Sequence, residues 1–395
     1  MTSSVKPYRV RRVVHPGGRV SYWIFSAGGE LHRSSVEVLK QYRESSQQTY
    51  AYGLVDHLNW LDTNHLTVDS VTVDDLRRYM NALTGQGAGV FGVVWRDRPP
   101  IGTSAAGNVA TIVKAFYLTT SRTNHTVVDW FSGTQGKSRR RTSSVAKNPL
   151  APPKGPGRPR FLPEQCVAAL FEPGVLTSAR DAMIVTWLVD SGVRVGGLCG
   201  LRFPDLHLVY DHPCGQRKDP HVHIVGRDDN PNHARAKAYH EFRISPDGHV
   251  IDGVIRAVSE SMITSFYTYL LDEYHPIQHL ADHEQILVHI KGSTAGAALT
   301  TGGVRKMLRR ACGRADLNSY VTPHAFRHRA AANLYAASDF NAELVAQEFG
   351  WAHAEQVTGL YGRSANRHTM KYLNEAWKAF PEQSTRKDDD AIDDV

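Results

Sequence analysis

The stretch Thr322-Pro-His-Ala-Phe-Arg-His328 decides how the chain is read. Thr followed by Pro predicts a helix start, with Thr322 as N-cap and Pro323 in the first helical position. His324 and Arg327 are three apart, so they share one face of the opening turn. Cations there oppose a helix dipole whose N-terminal end is already positive. Such a cluster costs stability unless an anion sits on it. A phosphate relieves that cost, because free backbone N–H groups and cationic side chains converge on one point.

The same oddity recurs upstream in Asp190-Ser-Gly-Val-Arg-Val-Gly-Gly-Leu-Cys-Gly-Leu-Arg-Phe-Pro-Asp-Leu206. Ser191-Gly192 breaks one helix, and Arg194 falls in the opening turn of the next. Leu198 and Leu201 supply that helix's apolar stripe, so Arg194 is not a packing residue. Isolated arginines near helix starts are usually solvated. Two of them with a histidine outline an anion pocket.

Outward from these motifs, residues 161–380 read as a mixed domain. A helix opens at Pro163, a strong helical run spans Ala179–Asp190, and a strand pair brackets residues 221–244. Helices follow over roughly 256–273 and 302–313. Residues 1–34 hold two alternating runs, Tyr8–Val14 and Val20–Phe25, around His15-Pro16-Gly17-Gly18, which predicts a β-hairpin extension. Residues 35–131 read as a small helical domain. Tyr50, Leu54, Leu58 and Leu61 keep helical spacing, Thr72-Val-Asp-Asp75 is a capping-box start ahead of Leu76, Tyr79 and Leu83, and Val109, Ile112 and Phe116 mark another helix. The expected fold class is α+β, mainly helical, with a small β-sheet.

Between the domains, residues 132–160 are rich in Gly, Pro and Ser and carry Lys137, Arg139, Arg140, Arg141, Lys147, Lys154, Arg158 and Arg160. Such a segment cannot bury apolar surface. It is read as a basic strap along a phosphate backbone, with a plain solvated linker as the alternative. Residues 381–395 read as an acidic, disordered tail. Setting aside the five aspartates of Asp388–Val395 raises the formal charge from +7 to +12, which favours a polyanionic partner. No apolar run approaches the roughly 18 residues of a membrane span, and the N-terminus lacks the apolar core of a signal peptide. Cys166, Cys199, Cys214 and Cys312 are scattered without a CxxC pair, a reduced cytosolic pattern rather than a disulfide framework or zinc ribbon.

On these motifs the chain resembles the tyrosine recombinase (phage integrase) family from about residue 35 to residue 375. The family's first-arginine motif matches Asp190–Leu206 and places that role on Arg194. Its His-x-x-Arg motif matches His324 and Arg327, its β-hairpin lysine matches Lys237, and Gly350-Trp351 followed by Tyr361 matches the histidine-or-tryptophan position and the nucleophile. The segment before Lys237 resembles the integrase-like transposases of bacterial transposons more than the phage enzymes. Gly196-Gly197 departs from a common glutamate, and Trp351 replaces the commoner histidine.

The resemblance implies a SAM-like helical core-binding domain joined by the basic linker to a catalytic domain. It implies a metal- and ATP-independent DNA strand transferase, with no cofactor, acting through a covalent 3′-phosphotyrosine. Partners would be double-stranded DNA, further copies of the chain in a tetramer on two sites, and accessory DNA-bending or transposition proteins, in the nucleoid rather than at a membrane. Paired guanidiniums suit the charge that builds on a phosphoryl group. A tyrosine with pKa about 10 needs a positive field and a base, a role open to His324. By resemblance Lys237 protonates the leaving 5′ hydroxyl from a mobile hairpin. Trp351 would sit beside the phosphate and donate its indole N–H.

Among rival tyrosines, Tyr335 falls in the apolar run Ala330–Ala337 and reads as core, whereas Tyr361 precedes Gly362-Arg363-Ser364 and reads as exposed. His328 reads as an ordinary helix histidine. The stripe Met370, Leu373, Trp377 and Phe380 suits docking on its own domain or on a neighbouring subunit. Three alternatives stand beside this reading. One is a non-catalytic DNA-binding relative, another a topoisomerase-like enzyme. The third is a metal-dependent nicking enzyme built on His221-Val-His223 with Cys214 nearby, for which a half-buried strand is the simpler explanation.

Overall fold

A computed structural model describes residues 7–16, 20–86, 95, 99–121, 123–133, 148–153, 162–237, 241–317 and 321–361. The basic residues Lys137, Arg139, Arg140, Arg141, Lys147, Lys154, Arg158 and Arg160, the stripe Met370–Phe380 and the acidic tail lie outside the described residues. The chain divides into two units, Met1–Pro156 and Gly157–Val395. Among the described residues no helix is long and apolar enough to cross a membrane.

In the first unit, strands β1 (Tyr8–Val14) and β2 (Val20–Ser26) pair antiparallel from Tyr8 opposite Ser26 to Val14 opposite Val20. Helices α1 (Arg33–Leu39), α2 (Glu44–Thr63), α3 (Val73–Thr84), α4 (Thr103–Thr120) and α5 (His125–Gly133) follow. The hairpin is tied to α2, because the Tyr8 N–H donates to Asn59 Oδ1 at 2.9 Å and the Tyr22 N–H to Gln47 Oε1 at 3.0 Å. Ile24 from β2 is buried in one cluster with Leu54, Leu58, Leu61, Leu76, Leu83, Ile112 and Phe116. Burying each such side chain contributes about 1.5–3 kcal/mol. Helix α3 opens on a reciprocal capping box between Thr72 and Asp75 and stops at Gly85, whose φ of +78° suits glycine.

The second unit is built around α7 (Ala179–Ser191), whose Met183, Ile184, Val185, Trp187 and Leu188 are buried. Helix α6 (Glu164–Leu170) precedes it. After α8 (Val195–Gly200), strands β3 (Leu206–His207), β4 (His221–Ile224) and β7 (Val254–Ala257) form one antiparallel sheet in the order β3-β4-β7. Strands β5 (Phe242–Ile244) and β6 (Val250–Asp252) form a separate hairpin. Helix α9 (Glu260–Tyr269) packs on α7, and Trp187 donates its indole N–H to the Met262 carbonyl at 3.0 Å. Helices α10 (Thr301–Arg314), α11 (Pro323–Ala337), α12 (Ala342–Phe349) and α13 (Glu355–Tyr361) complete the unit. Ala330, Tyr335, Val345, Phe349, Val357 and Tyr361 form a second core there, so Tyr335 is a packing residue.

The strand pair expected around residues 221–244 differs in a way that matters for the site. Strands occupy both ends of that stretch, but β4 pairs with β3 and β7, whereas β5 pairs with β6. Residues 225–237 are an irregular arm rather than a hairpin limb. The arm carries its own anchors. Arg227 makes two hydrogen bonds to the buried Asp205 at 2.8 and 2.6 Å, and Asn232 Nδ2 donates to the carbonyls of Cys199 and Leu299 at 2.9 and 2.7 Å. Buried polar partners of this kind replace the ladder that a strand would have supplied.

Candidate active site

Arg194 owes its position to the end of α7. Gly192 adopts φ +57°, and a Cβ there would lie 2.7 Å from Phe349 and 2.8 Å from Ala330, so only glycine lets the chain turn this close to α11. Two residues later Arg194 is the N-cap of α8. Helix α11 begins as its sequence predicts, with the Thr322 hydroxyl accepting from the Ala325 N–H at 3.2 Å and Pro323 in the first position. One turn in, Arg327 is 4% exposed. Its Nη1 donates to the Gly192 carbonyl at 3.0 Å, its Nη2 donates to the Phe349 carbonyl, and the guanidinium lies 5.0 and 5.1 Å from the ring centres of Phe349 and Trp351. Among the described residues no carboxylate pairs with it. Burial, then Arg194 and Arg256, bring its pKa down to about 9, which leaves it charged at neutral pH.

Lys237 ends the arm and is exposed. The arm crosses α8 at Gly196, where an added Cβ would meet the Arg235 carbonyl oxygen at 2.4 Å. The departure Gly196-Gly197 thus has a physical reason. The backbone that delivers Lys237 occupies the space of a larger side chain. Lys237 is carried by a packed arm, where sequence reading expects a mobile hairpin.

Arg194, Lys237, His324 and Arg327, from four separate segments, line one cleft of about 460 Å³ together with His233, Arg235 and Arg305. Burial first, then Arg327, Arg194 and Lys237, lower the pKa of His324, so its imidazole is neutral at pH 7. The last three cleft residues, and Arg256 behind Arg327, are missing from the sequence reading. Arg256 is buried, bonds the Glu348 carbonyl and lies 4.4 Å from the Phe349 ring centre. Its spacing from the motifs gives no clue, because it comes from β7.

Tyr361 departs most from expectation. It is 0% exposed and closes α13 against the second core, because Val357 and Tyr361 lie four apart on the buried face. Its hydroxyl lies 2.6 Å from His328 Nδ1, and its ring centre is 6.0 Å from that of Trp351. Burial pushes its pKa up to about 12 although Arg327 pulls the other way. His328, expected to be an ordinary helix residue, is the tyrosine's hydrogen-bond partner. Burial and the neighbouring His324 and Arg327 hold it down to about 4, so it is a neutral acceptor over the physiological range. Trp351 stacks on Phe349 at 16° and backs the Arg327 guanidinium rather than lining the cleft. Sequence spacing singles out Trp351 and Tyr361, but not His328 and not the contacts among the three.

Comparison with known proteins identifies chains of similar sequence and fold. The model of the phage integrase family matches residues 257–368. Transposase A from transposon Tn554 of Staphylococcus aureus is 24% identical over 195 residues, which cover 49% of this chain and 46% of the transposase, so the chain spans about half the length of those curated relatives. Tyrosine recombinase XerC of Staphylococcus epidermidis is 23% identical over 86% of this chain and 93% of its own length. Among solved structures, the XerH site-specific recombinase in a post-cleavage complex with palindromic difH aligns with a TM-score of 0.53 at 13% identity, covering 85% of this chain and 80% of that one. The Tn1549 transposon integrase in complex with a circular intermediate DNA aligns at 0.52 and 14% identity, covering 86% and 99%. These two share the fold. The family model and the transposase and recombinase relatives thus make the chain similar to the tyrosine recombinase (phage integrase) family.

Proposed function

We propose that the protein is a site-specific DNA strand transferase that cleaves and rejoins duplex DNA through a 3′-phosphotyrosine. The carrying observation is that Arg194, Lys237, His324 and Arg327 line one cleft, in which a buried guanidinium has carbonyl partners but, among the described residues, no carboxylate. A phosphodiester supplies the missing negative charge, and Arg194 with Arg327 holds its non-bridging oxygens. Tyr361 Oη forms a bond to phosphorus as the bond from phosphorus to the 5′ oxygen breaks. The tyrosine proton passes to a neutral imidazole, and Lys237 protonates the leaving 5′ hydroxyl. Because the phosphotyrosine keeps the energy of the broken bond, rejoining runs the same steps in reverse.

Transfer requires Tyr361 to leave the second core, and duplex binding is proposed to draw it out. The helical domain at residues 35–131 and the basic linker at 132–160 are proposed to hold the duplex. Support for the linker is its run of one-sign charge. A tetramer on two DNA sites within the nucleoid, with accessory DNA-bending proteins, completes the proposal and is drawn from the family resemblance.

The test uses nicked duplexes cut from the DNA that flanks the gene, in which loss of a short fragment traps the covalent intermediate. Wild-type protein should form a denaturation-resistant adduct, and Tyr361→Phe should form none. An adduct of equal yield from Tyr361→Phe, or full turnover after both Arg194→Ala and Arg327→Ala, would overturn the proposal.

A further inference from the structure

A second polar cluster in the same unit shares no lining residue with the cleft. The pattern His207-x6-Cys214-x6-His221-x-His223 runs from β3 through a turn into β4. His207 and His221 face each other across the two strands, and His221 and His223 are two apart, on one face of β4. All three histidines are wholly buried. The ligand atoms of His207, Cys214, His221 and His223 lie within 4.8 Å of one another.

The orientation of the rings is more telling than their proximity. His221 Nδ1 lies 2.7 Å from the Asp219 carbonyl, His223 Nδ1 lies 2.7 Å from the Asp252 carbonyl, and His207 Nε2 lies 3.3 Å from the Pro204 carbonyl. A carbonyl only accepts, so each of these nitrogens carries its ring's hydrogen. The opposite nitrogen of each neutral ring then presents a lone pair. These lone pairs converge. His207 Nδ1 is 3.2 Å from His221 Nε2, Cys214 Sγ is 3.2 Å from the same His221 Nε2, and His223 Nε2 is buried with no hydrogen-bond partner among the described residues. Bringing lone pairs together in a dry interior is unfavourable unless a cation shares them. Backbone carbonyls that orient each imidazole from behind are also the usual outer partners of metal-bound histidine. In a tetrahedral zinc site, bonds of about 2.0–2.3 Å place ligand atoms roughly 3.3–3.8 Å apart, close to the separations seen here.

We propose that His207 Nδ1, Cys214 Sγ, His221 Nε2 and His223 Nε2 form a structural zinc site that ties β3, the intervening turn and β4 together. Binding releases the Cys214 thiol proton to solvent, and the thiolate with three neutral imidazoles completes a closed four-ligand set. His212 supports the turn, since its ring stacks 3.7 Å from His207 at 11° and its Nδ1 accepts the Cys214 N–H at 3.2 Å. With four protein ligands the metal has no open position, which separates this site from the nicking chemistry that His221-Val-His223 suggests in isolation. The arm that delivers Lys237 leaves directly from β4, so the metal stiffens its base.

The test uses the full chain without a polyhistidine tag. Zinc content of the purified protein should be about one equivalent. After exchange to cobalt, the protein should show tetrahedral d–d absorption and a thiolate-to-cobalt charge-transfer band, and Cys214→Ser should lose that band. A chelator should lower the melting temperature of the wild type and not that of Cys214→Ser. If Cys214→Ser does not fold, the wild-type cobalt spectrum alone decides. Absence of stoichiometric metal would make this a hydrogen-bonded histidine core and overturn the proposal. Metal bound without a thiolate band would also overturn it, in favour of the neighbouring trio His207, His212 and His249.

Discussion

The cleft and the histidine–cysteine cluster gather polar side chains in opposite electrostatic senses. Around the cleft, Arg194, Lys237, His324 and Arg327 present donors and positive charge, and among the described residues the buried Arg327 has neutral carbonyls as hydrogen-bond partners and no carboxylate. In the cluster, His207, Cys214, His221 and His223 present lone pairs, with each ring hydrogen turned outward to a carbonyl. One is complementary to a phosphate and the other to a metal ion. Accumulated like charge in a buried place is unfavourable alone, and the sign of what accumulates names the ligand.

The sharpest way to break that contrast is Arg327→Lys. A lysine keeps the charge but cannot reach the Gly192 and Phe349 carbonyls while clamping a phosphate with two parallel bonds. Single-turnover cleavage of a nicked duplex should fall by about 10²–10³-fold, with duplex affinity and metal content unchanged. Wild-type cleavage in this variant would remove the cleft from the chemistry.

His328→Gln should cost roughly 10²-fold at pH 7, and the pH profile identifies the cause. Burial holds the His328 pKa down to about 4 and pushes that of Tyr361 up to about 12. The wild-type imidazole is therefore already a free acceptor at pH 6, and its cleavage rate should be nearly flat up to pH 8. Without it the reaction depends on the rare tyrosinate, whose population rises about tenfold per pH unit below its pKa. A flat profile in His328→Gln would show that another group takes the proton.

Gly196→Ala should have a smaller effect, about tenfold on cleavage, because the Arg235 carbonyl, which an added Cβ would meet at 2.4 Å, must retreat and shifts Lys237, two residues further on. Rescue is expected from a 5′-thio leaving group, which needs no proton. Equal loss on both substrates would place the damage elsewhere than at Lys237.

Local signals made much of this legible. Thr322-Pro323, Ser191-Gly192 and Thr72-Val-Asp-Asp75 act within one helical turn, and helices start or stop there because cap and glycine chemistry is local. The choice of Arg194, His324 and Arg327 followed from cations placed where a helix disfavours them. What escaped reading depends on contacts distant in sequence. Tyr361 looks exposed from its Gly-rich flank, yet Val357 and the α11–α12 pair bury it. His328 meets it only because α13 folds back over α11. Lys237 suggests a hairpin until buried Asn232 and Arg227 are seen replacing the strand ladder. The metal ligands carry no CxxC signal because pairing of β3 with β4, rather than short spacing, brings His207 to His221.

A solitary histidine provides the control for that last point. His57 is fully buried in the first unit, where its Nε2 lies 3.0 Å from the Tyr117 hydroxyl and its Nδ1 has no hydrogen-bond partner among the described residues. Burial depresses its pKa to about 3. The unfolded chain takes up the proton below about 6.5 while the folded chain does not. Stability from this ring is therefore complete above pH 6.5 and declines as pH falls toward 3, by about 1.4 kcal/mol per pH unit. Denaturant titrations from pH 7 to 5 should show a shallower decline in His57→Phe than in wild type. Zinc should leave that difference unchanged, because one nitrogen without converging lone pairs is no metal site. A zinc-dependent slope traced to His57 would mean that burial alone, rather than the arrangement of the rings, distinguishes the cluster at β3 and β4.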